Sequence, residues 1–186
     1  MRVRHLAIVM AALLLAACSS SPLQQTQYYL LATPTGESNG GAALRSIVVE
    51  LPSYLNQLGI VLIAEERQVN VASFNLWAEP LDEGIARFLR DEISGVDAAD
   101  EIALRVDVHY FHGAERGEVL LDAGWTLAHD CGVAQSGRFY QTLTQSTSGY
   151  ADLAATQARL LGRLAGVITT AAQALDSEIP ESEDCA

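Results

Sequence analysis

The sequence contains no lysine. Its 11 basic residues are all arginines, compared with 23 acidic residues. Without lysine, the chain cannot build a P-loop, in which a lysine holds nucleotide phosphates, or form a Schiff base with a carbonyl substrate. The formal net charge is −12 at pH 7, whereas nucleic acids are bound by clustered lysine and arginine. The composition therefore excludes these two kinds of catalysis and argues against a nucleic-acid partner.

Cysteine is also scarce, and the first of the three cysteines, Cys18, follows an uncharged run at residues 6–17. That run is too short to span a bilayer as a helix, which needs roughly 20 apolar residues. The segment 15–18, LAAC, resembles the bacterial lipobox, whose cysteine is acylated and becomes the first residue of the mature protein. The pattern predicts a lipoprotein signal peptide over residues 1–17; an ordinary signal peptide followed by a chance cysteine is the alternative.

The residue after the cysteine bears on the destination of the lipoprotein. In bacterial lipoproteins an aspartate at this position favours retention in the inner membrane, and this chain has Ser19 instead. We therefore expect the protein at the outer membrane, lipid-anchored on the periplasmic side, with residues 18–26 as the acylated cysteine and its tether.

The two remaining cysteines, Cys131 and Cys185, would lie in an oxidising compartment after export. A bridge between them would stabilise the fold by ~4 kcal/mol in the chain-entropy model. Against a bridge, Cys185 belongs to the acidic segment 177–186, whose charge predicts a disordered tail. A disulfide and two free thiols both stay open.

The domain itself is predicted over residues 27–176, where the spacing of apolar residues changes along the chain. Spacings of three and four predict two helices, one that begins at Pro80 and stops at Gly95 and one over residues 150–175. Alternating or β-rich runs predict strands. The strand patterns cover residues 27–32, 44–52, the hairpin 59–73, 101–113, 118–130 and 137–146, with turns at 113–117 and 132–137. This order predicts a single two-layer α+β domain, in which a mixed or largely antiparallel sheet carries both helices on one face.

The strand predicted over residues 101–113 alternates strictly and contains two histidines. One side is predicted to carry Ile102, Leu104, Val106, Val108 and Tyr110, and the other Arg105, Asp107 and His109. His109 and His112 would then point to opposite faces, which argues against a shared metal ion.

The run His129-Asp130-Cys131 has the residue types of a catalytic triad, but neighbours in a strand or turn diverge. We therefore predict no metal, no cofactor and no enzymatic activity. A hydrolase that uses His129 or His112 is kept as an alternative.

The segment 75–81, NLWAEPL, is the most distinctive string of the predicted domain. Trp77 precedes the predicted helix and Leu81 lies in its first turn, so the two can pack on each other much as in a hydrophobic staple. The segment is therefore predicted to define the start of a helix. The alternative is an interaction surface formed by Trp77, Glu79 and Pro80.

Three stretches, together with the lipobox and the long last helix, carry a family resemblance: YYLL at 28–31, VVELPSYLNQLGIV at 48–61 and NLWAEPLDEGIARFL at 75–89. In this order they resemble the PqiC family, also described as ABC-type transport auxiliary lipoproteins. Leu76 departs from the family pattern, in which arginine is common at this position.

The resemblance implies a non-enzymatic, outer-membrane-anchored periplasmic lipoprotein. Its implied partner is an MCE-domain protein that spans the envelope and carries lipids between membranes, so that the pair contributes to envelope integrity. The resemblance also implies a ring-forming homo-oligomer. The residues alone leave open a monomeric lipoprotein that binds a small apolar ligand between sheet and helices.

Overall fold

The computed structural model of the protein describes residues 24–32, 44–64, 68–93, 102–129, 132 and 134–178. The predicted signal peptide, the three cysteines and Gly95 lie outside the described residues. The described elements are, in chain order, β1 (Gln27–Tyr29), β2 (Ser46–Glu50), β3 (Gly59–Ile63), β4 (Val69–Trp77), α1 (Leu81–Glu92), β5 (Ile102–Ala114), β6 (Glu118–His129), β7 (Ala134–Thr144) and α2 (Tyr150–Glu178).

All the described strands form one mixed sheet in the order β1-β4-β3-β5-β6-β7. Strand β2 pairs with the first half of β5, and β3 pairs with the last residues of β5 on the same edge. The other edge of β5 is occupied by β6. The pairs β1–β4, β2–β5 and β3–β5 are parallel, and β3–β4, β5–β6 and β6–β7 are antiparallel. The predicted α+β class and the hairpin within 59–73 are confirmed.

Both predicted helices are present. Helix α1 begins after Pro80, whose φ of −51° and ψ of 133° suit the position before the first turn, and it carries Asp82 and Glu83 at the positive end of its dipole. Helix α2 ends at Glu178, two residues inside the predicted tail. Its predicted apolar stripe is buried throughout, at Leu153, Leu160, Leu164, Ile168, Ala171 and Leu175.

The two helices contact each other and cover one face of the sheet, α1 against β2 and α2 against β5, β6 and β7. Along β6 the odd-numbered residues 119–129 are all buried on this face. The even-numbered residues 120–128 lie on the opposite face, which no described helix covers and which we call the open face. Asp122 is the exception among them, because it is buried although it lies on the open face.

Strand β5 departs from the predicted alternation at Tyr110. This side chain is 48% exposed and the next residue, Phe111, is buried. The register with β6 shifts between Val108 and Tyr110, which is a β-bulge. Since a bulge inserts one extra residue, the sides of the strand exchange beyond it, so Tyr110 and His112 lie on the open face.

The predicted turn over residues 132–137 is too long, because β7 already begins at Ala134. Gly137 therefore lies inside the strand, and a Cβ atom there would be 2.5 Å from Cζ2 of Trp125. This glycine marks the close approach of an indole ring and not a turn.

Candidate functional site

The segment 75–81 forms the junction between β4 and α1. Trp77 ends β4; its side chain is 4% exposed and belongs to the same buried cluster as Leu81 and Ile85. The backbone N–H of Trp77 donates to the carbonyl oxygen of Leu58 at 2.7 Å, and Trp77 lies opposite Tyr29 in the pairing of β4 with β1. The indole is therefore part of the core at the point where the chain turns from sheet to helix.

Glu79 links this junction to α1 through an ion pair. Arg87 donates from Nη2 and Nε to Oε1 of Glu79, at 2.6 and 3.2 Å, and from Nη2 to the carbonyl oxygen of Leu31 at 2.9 Å. The hydrogen bond with Glu79 is the main cause that raises the pKa of Arg87. Gly84 leaves room for the carboxylate, since a Cβ atom there would be 3.1 Å from Oε1. Arg87 thus ties the chain just after β1 to the start of α1.

The three residues of the proposed interaction surface have different places in this junction. Pro80 is exposed, Glu79 is half-buried in its ion pair, and Trp77 is buried. The junction therefore offers a solvent surface at Pro80 and Glu79, and its role as an interaction surface stays a prediction.

A second polar cluster, which sequence analysis missed, lies on the open face around Asp122. The Asp122 side chain is 2% exposed, and Arg138 of β7 clamps it with two hydrogen bonds, Nε to Oδ1 at 2.8 Å and Nη2 to Oδ2 at 2.7 Å. His109 of β5 approaches from the other side, with Nδ1 3.6 Å from Oδ1. Tyr110 and Tyr140 are the direct neighbours of Asp122 in the two adjoining strands.

The charge of Asp122 is fixed by this arrangement. Hydrogen bonding from Arg138 lowers the pKa of Asp122 and outweighs burial, which acts in the opposite direction. The same pair raises the pKa of Arg138. A carboxylate held ionised by a bidentate arginine is not available as a general acid, and its proton affinity is too low for an effective general base near neutral pH.

An open cleft of about 870 Å³ adjoins the Asp122 cluster. Two carboxylates in its lining, Glu50 and Asp107, pair with Arg105 at 2.6 and 3.2 Å. Tyr54 donates its hydroxyl to the carbonyl oxygen of His109 at 3.3 Å, and burial is the main cause that raises its pKa to about 12. The charged side chains that line the cleft, Glu50, Asp107, Asp122 and Arg138, are thus already engaged in ion pairs.

The prediction that His109 and His112 point to opposite faces is wrong, since the bulge leaves both on the open face; even so, the described histidines do not converge on a metal site. The bulge brings His112 to the open face, where its ring packs edge-on against Tyr110 with centroids 5.9 Å apart. Burial lowers the pKa of His112, while its Nδ1 lies 3.3 Å from the carbonyl oxygen of Gly113. Within the ranges that the structure describes, no three histidine, cysteine or acidic side chains are grouped as a metal ion would need.

Arg138→Gln should make the protein more sensitive to acid. Asp122 has a folded-state pKa below its unfolded value of about 3.9, so its contribution to stability is present above that pH and is lost as the pH falls through the folded-state pKa. Without Arg138 the folded-state pKa rises, and we expect the midpoint of acid unfolding, measured by circular dichroism, to move to higher pH. Arg105→Gln, which removes an exposed pair on the same face, should leave the midpoint nearly unchanged; equal shifts would contradict this account.

The sequence and the fold are similar to those of known proteins. A family model described as the ABC-type transport auxiliary lipoprotein component matches residues 28–169, from β1 into α2. The chain belongs to this family. It is therefore related to lipoprotein components of transport systems, which indicates a place in the cell envelope.

Two curated relatives are 31% identical to the chain over 136 residues, which are 66% of this chain and 73% of each relative. Both are named intermembrane transport lipoprotein PqiC, one from Escherichia coli K12 and one from Shigella flexneri. The sequence resemblance to the PqiC family is thus confirmed.

Two crystal structures share the fold. One, of an uncharacterized protein, has a TM-score of 0.64 at 23% identity and covers 79% of this chain and 98% of its own. The other, of a protein from Xanthomonas campestris, has a TM-score of 0.61 at 14% identity and covers 82% of this chain and 100% of its own. Both support the α+β architecture.

No helix in the described part of the chain combines the length and the apolar character needed to cross a membrane.

Proposed function

We propose that the protein is a periplasmic lipoprotein, anchored in the outer membrane, that serves as a non-enzymatic auxiliary component of an MCE-type system for lipid transport between membranes and so contributes to envelope integrity. The observation that carries the proposal is the family match over residues 28–169 together with 31% identity to proteins named intermembrane transport lipoproteins. The match includes the segment 75–81, helix α1 and the part of α2 up to residue 169.

The character of the polar groups supports a binding role over a catalytic one. Glu79 is engaged by Arg87, and Asp122 by Arg138, so that each carboxylate is neutralised by an arginine. Ion pairs of this kind hold strands and helices in place. Neither cluster places a nucleophile beside a free base, the arrangement that hydrolysis requires.

The length of the predicted tether supports a position at the membrane. Residues 19–26 separate the lipidated cysteine from β1, and at about 3.3 Å per extended residue they span on the order of 25 Å. The domain would therefore stay close to the outer membrane. An envelope-spanning MCE-domain protein would meet it there with its outer end.

The test is direct binding between the two proteins. The mature lipoprotein, purified in detergent, should bind the immobilised periplasmic part of the MCE-domain protein from the same organism in biolayer interferometry. An unrelated outer-membrane lipoprotein in the same detergent is the control. No binding above this control, combined with an unchanged outer-membrane permeability after deletion of the lipoprotein, would refute the proposal.

A further inference from the structure

An apolar groove of about 660 Å³ lies between α2 and the edge of the sheet that β7 forms. Strand β7 pairs with β6 on one side, and no described strand pairs with its other side. The walls of the groove include Gln135 of β7, Trp125 of β6 and Val167, Ala171 and Ala174 of α2. Ligand sites in proteins commonly have volumes of about 300–1,000 Å³. The groove is therefore large enough to hold a small molecule.

Small side chains on α2 keep the groove open. Its wall on α2 runs from Arg163 to Ala174 and includes Gly166, where a Cβ atom would have nothing within 4 Å. At a rise of 1.5 Å per residue, this wall is about 16 Å long. Thr170 donates its hydroxyl to the carbonyl oxygen of Gly166 at 3.0 Å, so this hydrogen is already used within the helix. The groove is thus elongated and suits a ligand with a long apolar chain.

A buried donor at the groove has no acceptor. The Trp125 side chain is 7% exposed, and its indole Nε1 is buried without a hydrogen-bond partner in the described part of the chain. A Cβ atom on Gly137 would be 2.5 Å from Cζ2 of the indole and 3.1 Å from Nε1. The N–H edge of the ring therefore lies over β7, the strand that borders the groove. An unpaired buried donor is unfavourable, and an oxygen atom of a ligand in the groove would pair it.

A cation without an acidic partner lies at one end of the groove. Arg163 is exposed and donates from Nη1 to Oε1 of Gln141 at 3.0 Å. The guanidinium groups of Arg87, Arg105 and Arg138 pair with carboxylates. Among the described residues, no carboxylate lies within ion-pair distance of Arg163. Its charge is therefore available to an anion from outside the domain, and arginine suits the geometry of phosphate.

The three features follow one another along the groove. The partner of Arg163, Gln141, lies four residues from Gly137, over which the indole lies. Beyond Gly137, towards the start of β7, Gln135 lines the groove together with Ala174 of α2. The order is therefore cation, uncharged donor and apolar wall. A glycerophospholipid has the complementary groups in the same order, which are phosphate, ester carbonyl and acyl chain.

We propose that the groove between β7 and α2 binds a glycerophospholipid. One acyl chain lies along α2, an ester carbonyl accepts a hydrogen bond from Nε1 of Trp125, and the phosphate pairs with Arg163. The inference rests on the proposed function in that a component of a lipid-transport system would meet this ligand at its membrane. Binding itself can be measured without the MCE-domain protein.

Quenching of tryptophan fluorescence by a brominated phospholipid tests the inference. The chain has two tryptophans: Trp125 lines the groove, and Trp77 is buried in the core at the end of β4. Phosphatidylglycerol with a dibrominated acyl chain, titrated into the mature lipoprotein in detergent, should quench part of the fluorescence in a saturable manner. Trp125→Phe retains only Trp77 and should show no saturable quenching. The same lipid without bromine should compete.

Two glycines of α2 provide matched variants. Gly166 belongs to the lining of the groove and Gly162, about one turn earlier, does not, and a Cβ atom would have nothing within 4 Å at either position. Replacement by leucine raises the helix propensity equally at both. Gly166→Leu should fill the groove and abolish saturable quenching, whereas Gly162→Leu should keep the wild-type curve. Circular dichroism spectra that match the wild type establish that both variants are folded.

Arg163→Gln tests the contact with phosphate. Hydrogen bonds to charged groups are stronger than those between neutral groups, so this variant should bind phosphatidylglycerol roughly tenfold more weakly than the wild type. Diacylglycerol keeps the acyl chains and ester carbonyls but has no phosphate. It should therefore compete equally well in the wild type and in Arg163→Gln. An equal weakening for both lipids would contradict the placement of the phosphate at Arg163.

The absence of saturable quenching in the wild type, or equal curves for the two glycine variants, would overturn the inference. It would also be overturned if a second copy of the chain filled the groove. In that case Gly166→Leu would lower the mass of the lipoprotein in native mass spectrometry and leave the quenching unchanged. These outcomes leave binding to the MCE-domain protein unaffected. Loss of that binding with quenching intact would count against the proposed function alone.

Discussion

Trp77→Ala should lower the free energy of unfolding by about 3–5 kcal/mol, the usual cost of truncating a buried aromatic side chain. The indole is 4% exposed and lies in the core with the apolar residues of the first turns of α1. Truncation would leave a cavity where β1, β4 and α1 meet. Against a typical stability of about 5–15 kcal/mol, the loss should lower the abundance of the lipoprotein in the cell. Thermal and urea unfolding of the mature protein provide the measurement.

Phe74→Ala is the matched control for this prediction. Phe74 lies three residues earlier on β4 and is 40% exposed, so its truncation should cost well under half as much as that of Trp77. If Trp77→Ala left the melting temperature unchanged but abolished binding to the MCE-domain protein, Trp77 would be a contact residue and the packing account would be wrong.

The elements with a clear apolar period were predictable from the sequence. Helix α1 repeats its buried residues at intervals of three and four, and β6 buries every odd-numbered residue from 119 to 129. In both cases one side of the element faces the core and the other faces solvent. The period then reports the secondary structure directly.

Features that depend on strand pairing were not predictable. The exposure of Tyr110 follows from a bulge in β5 opposite β6. A bulge is set by how two strands pair, and the sequence of one strand does not reveal that pairing. Gly137 is of a residue type common in turns, but it lies within a strand, where the indole of Trp125 on the neighbouring strand leaves no room for a side chain. Neither neighbour is identified by the local sequence.

The same limit applies to the polar clusters. The segment 75–81 was predicted as a helix start because its signals, a proline and flanking apolar residues, are local. Asp122 finds its partner, Arg138, 16 residues away along the chain. Glu79 finds its partner, Arg87, 8 residues away. A lone acidic residue at the centre of the alternating strand β6 was the available signal. Its partner is known only once β6 and β7 are placed in register.

Cys18→Ala should move the protein from the membrane fraction to the soluble periplasm or leave its precursor uncleaved. Each buried CH₂ of an acyl chain contributes about 0.8 kcal/mol, so two or three acyl chains hold a protein firmly on a membrane. Without acyl chains this source of membrane affinity is lost. The predicted tether, residues 19–26, is SSSPLQQT and has no other strongly apolar stretch. Fractionation followed by immunoblotting should therefore show near-complete loss from outer membranes.

Two substitutions separate anchoring from sorting and from general effects of cysteine loss. Cys131→Ala removes another cysteine and should leave the protein at the outer membrane. Ser19→Asp keeps the lipidated cysteine but places aspartate at the sorting position, and should shift the protein to the inner membrane while it stays membrane-bound. If Cys18→Ala matured normally and still fractionated with outer membranes, the anchor would lie elsewhere in the chain. In that case the distance between domain and membrane would no longer be limited by the tether, and the proposed meeting with the outer end of an MCE-domain protein would lose its geometric basis.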